Sequence, residues 1–576
     1  MNTWIRYGFA VAATGLAAYA ANFSVSLSGE QRFAYVAWGP NVAESLEAVG
    51  ARIISEQPSL GTWGVRLSAS EVVALQAQNP QLKLFADGPL FSIADRENSN
   101  ASQPEQEWQP AAVVPWVRAS AVHNMGIDGA GIGVAFIDTG VWGRVANLPR
   151  VFGEVSSVGE DIPPQGAELQ SGSQDRHGHA SHLISHVVGA DRREHQAGVA
   201  PGAHIYSVRA FDDDGLGRYI DVLEGIDWVI RNANELNIRV LNLSFGAPVQ
   251  SHYWDDPINQ AVMRAWDAGI VVVTSAGNTG PDPQSITVPG NLPYVITVGA
   301  VSDNGTPRNL SDDFITSFSA AGPTLEAFVK PDLVAPGDRI LGAAHPRSTL
   351  AQSNGGAGEV RSGVYALSGT SQAAAITSGV AALLLQAQPH LTPDDVKCKL
   401  IATARAAVNP NGEAAISVFQ QGAGLLDAEA ALVSDASQCA NVGLDISLEL
   451  ADKTHFLGRA RFDEERQQYF IADDHNDPLN FPGSTWEKVT SVEGDPWGGG
   501  YVLAQGDPWG GGYFSRMSLE LGSGLSLSYA ATPYSADEDV DSMLREYLVI
   551  EGDPWGGGYS QLFAYPDVAD HEPLRR

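Results

Sequence analysis

The alternation of apolar and polar positions divides this 576-residue chain into stretches of different texture. After an apolar start, the pattern from residue 22 is short and mixed. Residues 33–38 read as a strand, 42–49 as a short helix closed by Gly50, and 62–67 as a second strand. Residues 70–78 read as a helix stopped by Pro80, and 82–85 as a last strand. A polar run at 94–109, rich in Asn, Gln, Glu and Ser, predicts an exposed linker open to cutting. From about Pro110, continuous apolar runs alternate with amphipathic ones. Residues 133–137, 238–243, 269–274 and 294–301 predict buried strands. Ile220, Leu223, Ile226 and Ile230 recur at helical spacing, while Asp256 and Pro257 open a further helix that Gly269 closes. This alternation predicts an α/β body, a doubly wound parallel sheet covered on both faces. In such sheets functional groups gather at the carboxyl ends of strands, and Asp138 and Asn278 lie just past two such ends.

The most apolar helix pattern follows Leu367-Ser368-Gly369-Thr370-Ser371-Gln372-Ala373. Ala373, Ala374, Ala375, Ile376, Val380 and the run from Ala381 to Leu385 leave no polar face, so this helix belongs in the interior of a large domain. Gly369 permits a tight turn that sets Ser371 in the first helical turn, where unpaired N–H groups and the positive helix end favour an adjacent anion. That suits a nucleophile whose reaction builds charge on a carbonyl oxygen. Taken alone, Ser371 reads equally well as a turn serine capping a core helix. Beyond residue 440 the texture changes to short alternating strands and glycine-rich turns. The octapeptide Gly-Asp-Pro-Trp-Gly-Gly-Gly-Tyr starts at Gly494, Gly506 and Gly552. Its Asp-Pro and glycines are turn chemistry. A second reading gives its exposed aromatics a recognition or surface-retention role.

Composition narrows the function classes. Lys+Arg 34 against Asp+Glu 67 gives a net charge of -33, which repels nucleic acid and anionic membranes. Arg6, an apolar core at 9–18 and Ala18-Tyr19-Ala20 have the form of an export signal with a small-x-small cleavage site, too short to span a bilayer. Two cysteines, Cys398 and Cys439, are compatible with one disulfide in an oxidising compartment, although spacing does not fix their geometry.

Four motifs then fall into one chemistry. Ile137-Asp138-Thr139-Gly140 sets a carboxylate at a strand end. Asp175-Arg176-His177-Gly178-His179-Ala180-Ser181-His182 offers several imidazoles. Asn278 sits in Ser275-Ala276-Gly277-Asn278-Thr279-Gly280, and Ser371 comes last. Acyl transfer needs a nucleophile, a base, a group that orients the base, and an oxyanion donor. With these residues in this order, the segment from about Pro110 to Leu432 resembles the subtilisin-like serine proteases (subtilases, S8). Asp138 to Gly140 matches the family's Asp-Thr/Ser-Gly motif. Gly369 to Ala373 matches its Gly-Thr-Ser-Met-Ala motif with Gln372 for methionine. The His-Gly-Thr-His motif departs. His179-Ala180-Ser181-His182 keeps the second histidine and a hydroxyl, and makes His179 the base. His177-Gly178 preserves the His-Gly pair and makes His177 the other candidate.

The resemblance implies that Ser371 attacks the scissile carbonyl, His179 takes and returns the proton, and Asp138 holds the imidazole. Asn278 and the Ser371 N–H donate to the oxyanion. A side-chain donor in that role is worth about 3–4 kcal/mol, a magnitude known from a subtilisin's own asparagine. It also implies an extended substrate paired with Ser244, Phe245 and Gly246 on one side and Leu216 and Gly217 on the other, with Ser275, Ala276 and Gly277 as the opposite pocket wall. Thr279, standing where an acid favours basic residues, leans the preference to apolar or small side chains. No cofactor is required for the chemistry; calcium, which many relatives bind, is not assigned. Asp212-Asp213-Asp214 reads better as a solvated acidic loop, since its spacing matches no calcium loop. The implied organisation is a signal peptide at 1–21, an inhibitory α+β propeptide at 22–105, a subtilase domain at 106–440 and a β-rich domain at 441–576. The expected protein is a secreted, self-processed endopeptidase acting on proteins or peptides, with its own propeptide as inhibitor and no membrane span. The alternative is a catalytically inactive subtilase-fold binding or surface adhesion protein, for which Ala180 is the only encouragement.

Overall fold

A computed structural model describes residues 31–92, 112–146, 151–157, 175–189, 198–306, 313–353, 359–361, 363–407, 416–466 and 468–472. The expected export signal, the 94–109 linker and the three octapeptide repeats lie outside the described residues. The described chain separates into two compact units, one built on residues 31–54 and 64–86, the other on 55–63 and everything from Asp87 onward.

In the smaller unit, strands run in the order Arg52–Gln57, Thr62–Ser68, Arg32–Trp38, Lys83–Ala86, the last two antiparallel. Helices Val42–Val49 and Ala69–Gln78 pack together. Gly50 ends the first helix in a left-handed turn at φ 72°, a conformation that needs no Cβ. Ser68 and Glu71 form a capping box on the second. The buried residues Val36, Leu46, Val65, Leu67, Leu75 and Leu84 make its core.

The larger unit is organised on an eight-stranded sheet. Its order is Phe314–Ile315, Ile296–Ser302, Val271–Ser275, Ile238–Leu243, Gly133–Asp138, His204–Arg209, Val151–Ser156, with Leu333–Pro336 also pairing Ile296–Ser302. Six pairings are parallel, and only Phe314–Ile315 runs antiparallel. Gly133–Asp138, Val271–Ser275 and Ile296–Ser302 are buried at every position, which requires cover on both faces. Helices Tyr219–Leu236 and Pro257–Asp267 pack on each other, as do His179–Val188 and Thr370–Ala387. Asp256 caps the second of these, accepting from the Ile258 and Asn259 N–H groups, with Pro257 at N1. The predicted α/β sheet is therefore present, with four strands, His204–Arg209, Val151–Ser156, Leu333–Pro336 and Phe314–Ile315, that the apolar pattern does not single out. The first of them is flanked by His204 and Arg209, which interrupt the apolar signal.

Residues 441–472 cluster with the larger unit. Ala460 and Ile471, from an antiparallel hairpin of Ala460–Asp463 with Gln468–Ile471, bury against Val329, Val418 and Phe419. Cys398 and Cys439 are joined in a disulfide, beside Ile401, Ala404, Ala423 and Ala440. At the other end Pro89–Ser92, inside the expected propeptide, is a strand of the larger unit. Among the described residues no helix is long and apolar enough to cross a membrane.

Candidate active site

The sheet delivers Asp138 as the last residue of its central strand, 1% exposed. A glycine turn after it lets the Thr139 N–H donate to Asp138 Oδ1 at 2.7 Å. The two carboxylate oxygens lie 2.8 and 2.9 Å from His179 Nδ1. An ionised carboxylate only accepts, so the His179 proton sits on Nδ1 and Nε2 is the basic nitrogen.

A second carboxylate, Asp175, holds His179 in place. Its Oδ1 accepts from the Gly178 N–H at 2.7 Å and Thr139 Oγ1 at 2.9 Å. Its Oδ2 accepts from the Ser181 N–H at 2.9 Å and Ser181 Oγ at 2.6 Å. It thus caps the helix that starts at His179, and burial raises its pKa against the pull of those bonds. His177 stands elsewhere: its Nδ1 is 3.5 Å from Ser92 Oγ, and its ring centroid is 6.1 Å from that of His179. Burial, with the neighbouring His179, depresses the His177 pKa to about 3, so the ring is neutral. His182 is buried behind the site, its Nε2 on the Tyr365 carbonyl at 3.1 Å. Its Nδ1 then accepts from His186 Nε2 at 3.1 Å and faces Gln372 Nε2 at 3.4 Å. Burial lowers both pKa values, that of His182 to about 3. Gln372, in the methionine position, thereby ties the Thr370–Ala387 helix to the His179–Val188 helix.

Ser371 is the second residue of Thr370–Ala387, after Gly369 at the N-cap. Its Oγ donates to the Ser244 carbonyl at 3.3 Å, and Ser244 Oγ donates to the Ser371 carbonyl at the same distance. Asn242 Nδ2 supports Ser244 Oγ at 2.8 Å. The loop after Val271–Ser275 carries Asn278, whose Oδ1 accepts from the Thr370 N–H at 3.0 Å and Thr370 Oγ1 at 2.9 Å. Both lone-pair directions of Oδ1 are used, which orients the amide; its buried Nδ2 has no hydrogen-bond partner among the described residues. Thr370 Oγ1 in turn accepts from the Gly277 N–H at 3.2 Å.

Beside these groups lies a slot for an extended chain, formed by Leu216–Arg218 and Phe245–Gly246. Pro89–Ser92 occupies it as the middle strand, antiparallel to both walls. Leu90 pairs with Gly217, Phe91 with Leu216 and Gly246, and Ser92 with Phe245. Ser275, Ala276 and Gly277 are buried nearby. Along the chain order Asp138, His179, Asn278, Ser371, a family model described as the subtilase family matches residues 129–424, over half the chain.

The chain belongs to the subtilase family. Serine protease AprX of Bacillus subtilis is 38% identical over 279 residues, covering 47% of this subtilase and 60% of AprX. Subtilisin DY of Bacillus licheniformis is 31% identical over 320 residues, covering 55% of this chain and 97% of that one. The fold is shared with fervidolysin from Fervidobacterium pennivorans, a keratinolytic enzyme related to subtilisin. That match has TM-score 0.54 and 20% identity, and covers 72% of this chain and 62% of that one.

Among the described residues no cluster of three or more His, Cys, Asp or Glu is arranged to hold a metal. Two of the Asp212-Asp213-Asp214 carboxylates of this subtilase have other duties. Asp212 Oδ1 accepts from the Asp214 and Leu216 N–H groups, and Asp213 pairs with Arg176 and Arg209. Sequence reasoning missed Thr370 and Pro89–Ser92 as parts of this region. Thr370 is hidden by its proximity to the serine, and Pro89–Ser92 by being only four residues long.

Proposed function

We propose that this subtilase is a serine endopeptidase working through Asp138, His179 and Ser371 and an acyl-enzyme, and that it is made as a self-processed zymogen. The observation that carries the reading is the Asp138–His179 pair, buried and hydrogen-bonded at 2.8 Å, which leaves Nε2 as the basic nitrogen. Ser371 opens a buried helix as the nucleophile. Asn278 Nδ2 and the Ser371 N–H are the oxyanion donors, and the unpartnered state of Nδ2 supports that role. Substrates are extended peptides, entering between Leu216–Arg218 and Phe245–Gly246 where this chain's own strand now lies. Ser275, Ala276 and Gly277 wall the pocket, which favours apolar or small residues. The occupied slot supports inhibition by the N-terminal segment until it is cut. Arg6, the apolar 9–18 core and Ala18-Tyr19-Ala20 support export.

The pairing of Ser92 with Phe245 supports a position for the cut. Phe245 follows Ser244, whose carbonyl receives Ser371 Oγ, so a peptide in this register offers Ser371 the carbonyl one residue beyond the Ser92 position. For the chain itself that is the bond before Ala94. A serine-directed reagent should label the wild type and not Ser371→Ala, and the secreted wild type should begin at Ala94 while Ser371→Ala stays uncut. Equal maturation of both proteins rules out self-processing; a wild type that never labels rules out the enzyme.

A further inference from the structure

Behind the proposed triad lies a group of side chains that the chemistry above does not use. His182 and His186 stand four residues apart on the helix His179–Val188, the spacing that sets two imidazoles on one helix face. Both rings are buried, that of His182 completely. The His182 ring lies against Gly342, where a Cβ would come within 2.6 Å of it, and its Nε2 proton is donated to the Tyr365 carbonyl at 3.1 Å. That bond fixes the tautomer and leaves the lone pair on Nδ1, which is how ligating histidines are usually held. Two groups approach this single lone pair, His186 Nε2 at 3.1 Å and the Gln372 amide at 3.4 Å. Meanwhile Gln372 Oε1, on a fully buried side chain, has no hydrogen-bond partner among the described residues. Half a turn about the last side-chain bond exchanges the amide oxygen and nitrogen, so either can face His182 Nδ1. The helix itself is anchored here: Ser185 Oγ donates to the His182 carbonyl at 2.6 Å and accepts from the Ala343 N–H at 2.9 Å.

We propose that His182 Nδ1, His186 Nε2 and Gln372 Oε1 form a binding site for a divalent transition ion of the zinc class, and that filling it slows the hydrolysis proposed above. The slowing rests on the protease reading; the site does not. Only two of its residues are of the His, Cys, Asp or Glu type, and the amide oxygen takes the third position. Two imidazoles with one neutral oxygen suit zinc, whereas calcium and magnesium take oxygen ligands throughout. Two nitrogens 3.1 Å apart, each about 2.0–2.1 Å from one ion, subtend roughly 100° at it, a little under the tetrahedral angle. Binding releases no proton. Burial already keeps both rings neutral, and His186 carries its proton on Nδ1 in place of Nε2. The consequence for the reaction is electrostatic. His182 and His186 both lie within the field of His179, which helps to lower their pKa values. A double positive charge between them therefore opposes the imidazolium that His179 becomes when it takes the Ser371 proton.

The test titrates zinc chloride into the full-length wild type and Ser371→Ala by calorimetry, with the visible absorption of bound cobalt(II) as a second reading of a nitrogen-ligated ion. Both proteins should bind one such ion per chain, and magnesium should not compete for it. His186→Ala should weaken zinc binding by about tenfold or more while keeping its far-UV circular dichroism and its zinc-free activity. Gln372→Met, which restores the residue of the family motif, should weaken it by about threefold or more, and it carries the test alone where His186→Ala does not fold. With a peptide substrate, zinc should lower kcat of the wild type about fivefold or more and that of His186→Ala by less than about twofold, and a chelator should restore the rate. Equal zinc affinity in wild type, His186→Ala and Gln372→Met overturns the site, because the ion then sits on surface carboxylates. Binding that depends on His186 but leaves kcat unchanged overturns the slowing. Absence of any Ser371-dependent cleavage overturns the protease reading, and the calorimetric comparison still decides the site.

Discussion

At the scale of single residues, the site depends on side chains that never meet a substrate. The donor role proposed for Asn278 needs its amide to face the right way, and Thr370 orients that amide. The Thr370 N–H and Oγ1 both donate to Asn278 Oδ1, and the same Oγ1 receives the Gly277 N–H. Replacing Thr370 by valine keeps the shape and the backbone donor but removes one neutral bond to Oδ1, worth about 1 kcal/mol net. With Asn278 as the proposed transition-state donor, loss of its orientation falls on kcat, so Thr370→Val is expected to lower kcat about fivefold with KM little changed. Thr370→Ser should restore most of it, and steady-state kinetics on a peptide checks both. Asp175 plays the corresponding part for His179, clamping Gly178, Thr139 and Ser181 around the start of its helix. Ala180, where the family motif has glycine, is fully buried, and its N–H donates to Thr139 Oγ1 at 3.0 Å. Its methyl is thus part of the packed helix start.

Among the elements, the Thr370–Ala387 helix does most to assemble the centre. It is buried from Thr370 through Leu385 and packs along Ile238–Leu243, Val271–Ser275 and Ile296–Ser302. A polar interior residue ties it to the sheet: Ser378 Oγ reaches Oδ1 of Asn242, the residue that supports Ser244, at 3.0 Å. The element after it, Pro393–Thr403, is tied to the following segment by the Cys398–Cys439 disulfide, which closes a loop of sequence separation 41. Constraining the unfolded chain over such a loop stabilises the fold by about 4 kcal/mol in the loop-entropy picture. The double variant Cys398→Ser, Cys439→Ser should therefore lose stability of that order in chemical denaturation, with peptide hydrolysis unchanged in the surviving folded fraction.

On the scale of the whole molecule, the segment after residue 440 is pinned to the body of the larger unit by an aromatic and ionic cluster. Trp254 stacks between His252 and His455, with ring centroids 4.3 and 4.6 Å away. His455 Nδ1 lies 3.0 Å from Glu449 and its Nε2 3.2 Å from Asp452; His252 Nδ1 lies 3.0 Å from Glu326. Tyr253 also hydrogen-bonds to Glu449. Burial opposes the charge on His455, but the bonds and charges of Asp452 and Glu449 outweigh it and raise the pKa to about 9. A raised pKa means the stabilising contribution is complete below the unfolded value near 6.5 and is lost as pH climbs through about 9. Melting temperature should accordingly fall between pH 7 and 10 more steeply in the wild type than in His455→Gln, with a parallel change in Trp254 fluorescence. Equal slopes in the two proteins would remove His455 from the account.

Much of this architecture was legible along the chain because its causes are local or periodic. Continuous apolar runs announce strands buried on both faces, as at Gly133–Asp138, and an all-apolar pattern after a glycine turn announces the buried helix Thr370–Ala387. Side-chain type and order were enough to reach the subtilase family. What remained undecided was which imidazole meets Asp138, which cysteine geometry exists and what fills the slot. Each of these is a distance between residues far apart in sequence: 41 positions between Asp138 and His179, 41 between the cysteines. Local pattern carries no information on such distances, since they are set by how strands stack in register and how helices pack across them. Only the folded chain brings the Asp138 carboxylate to Nδ1 of His179 while leaving His177 beside Ser92, two residues and one helix start away.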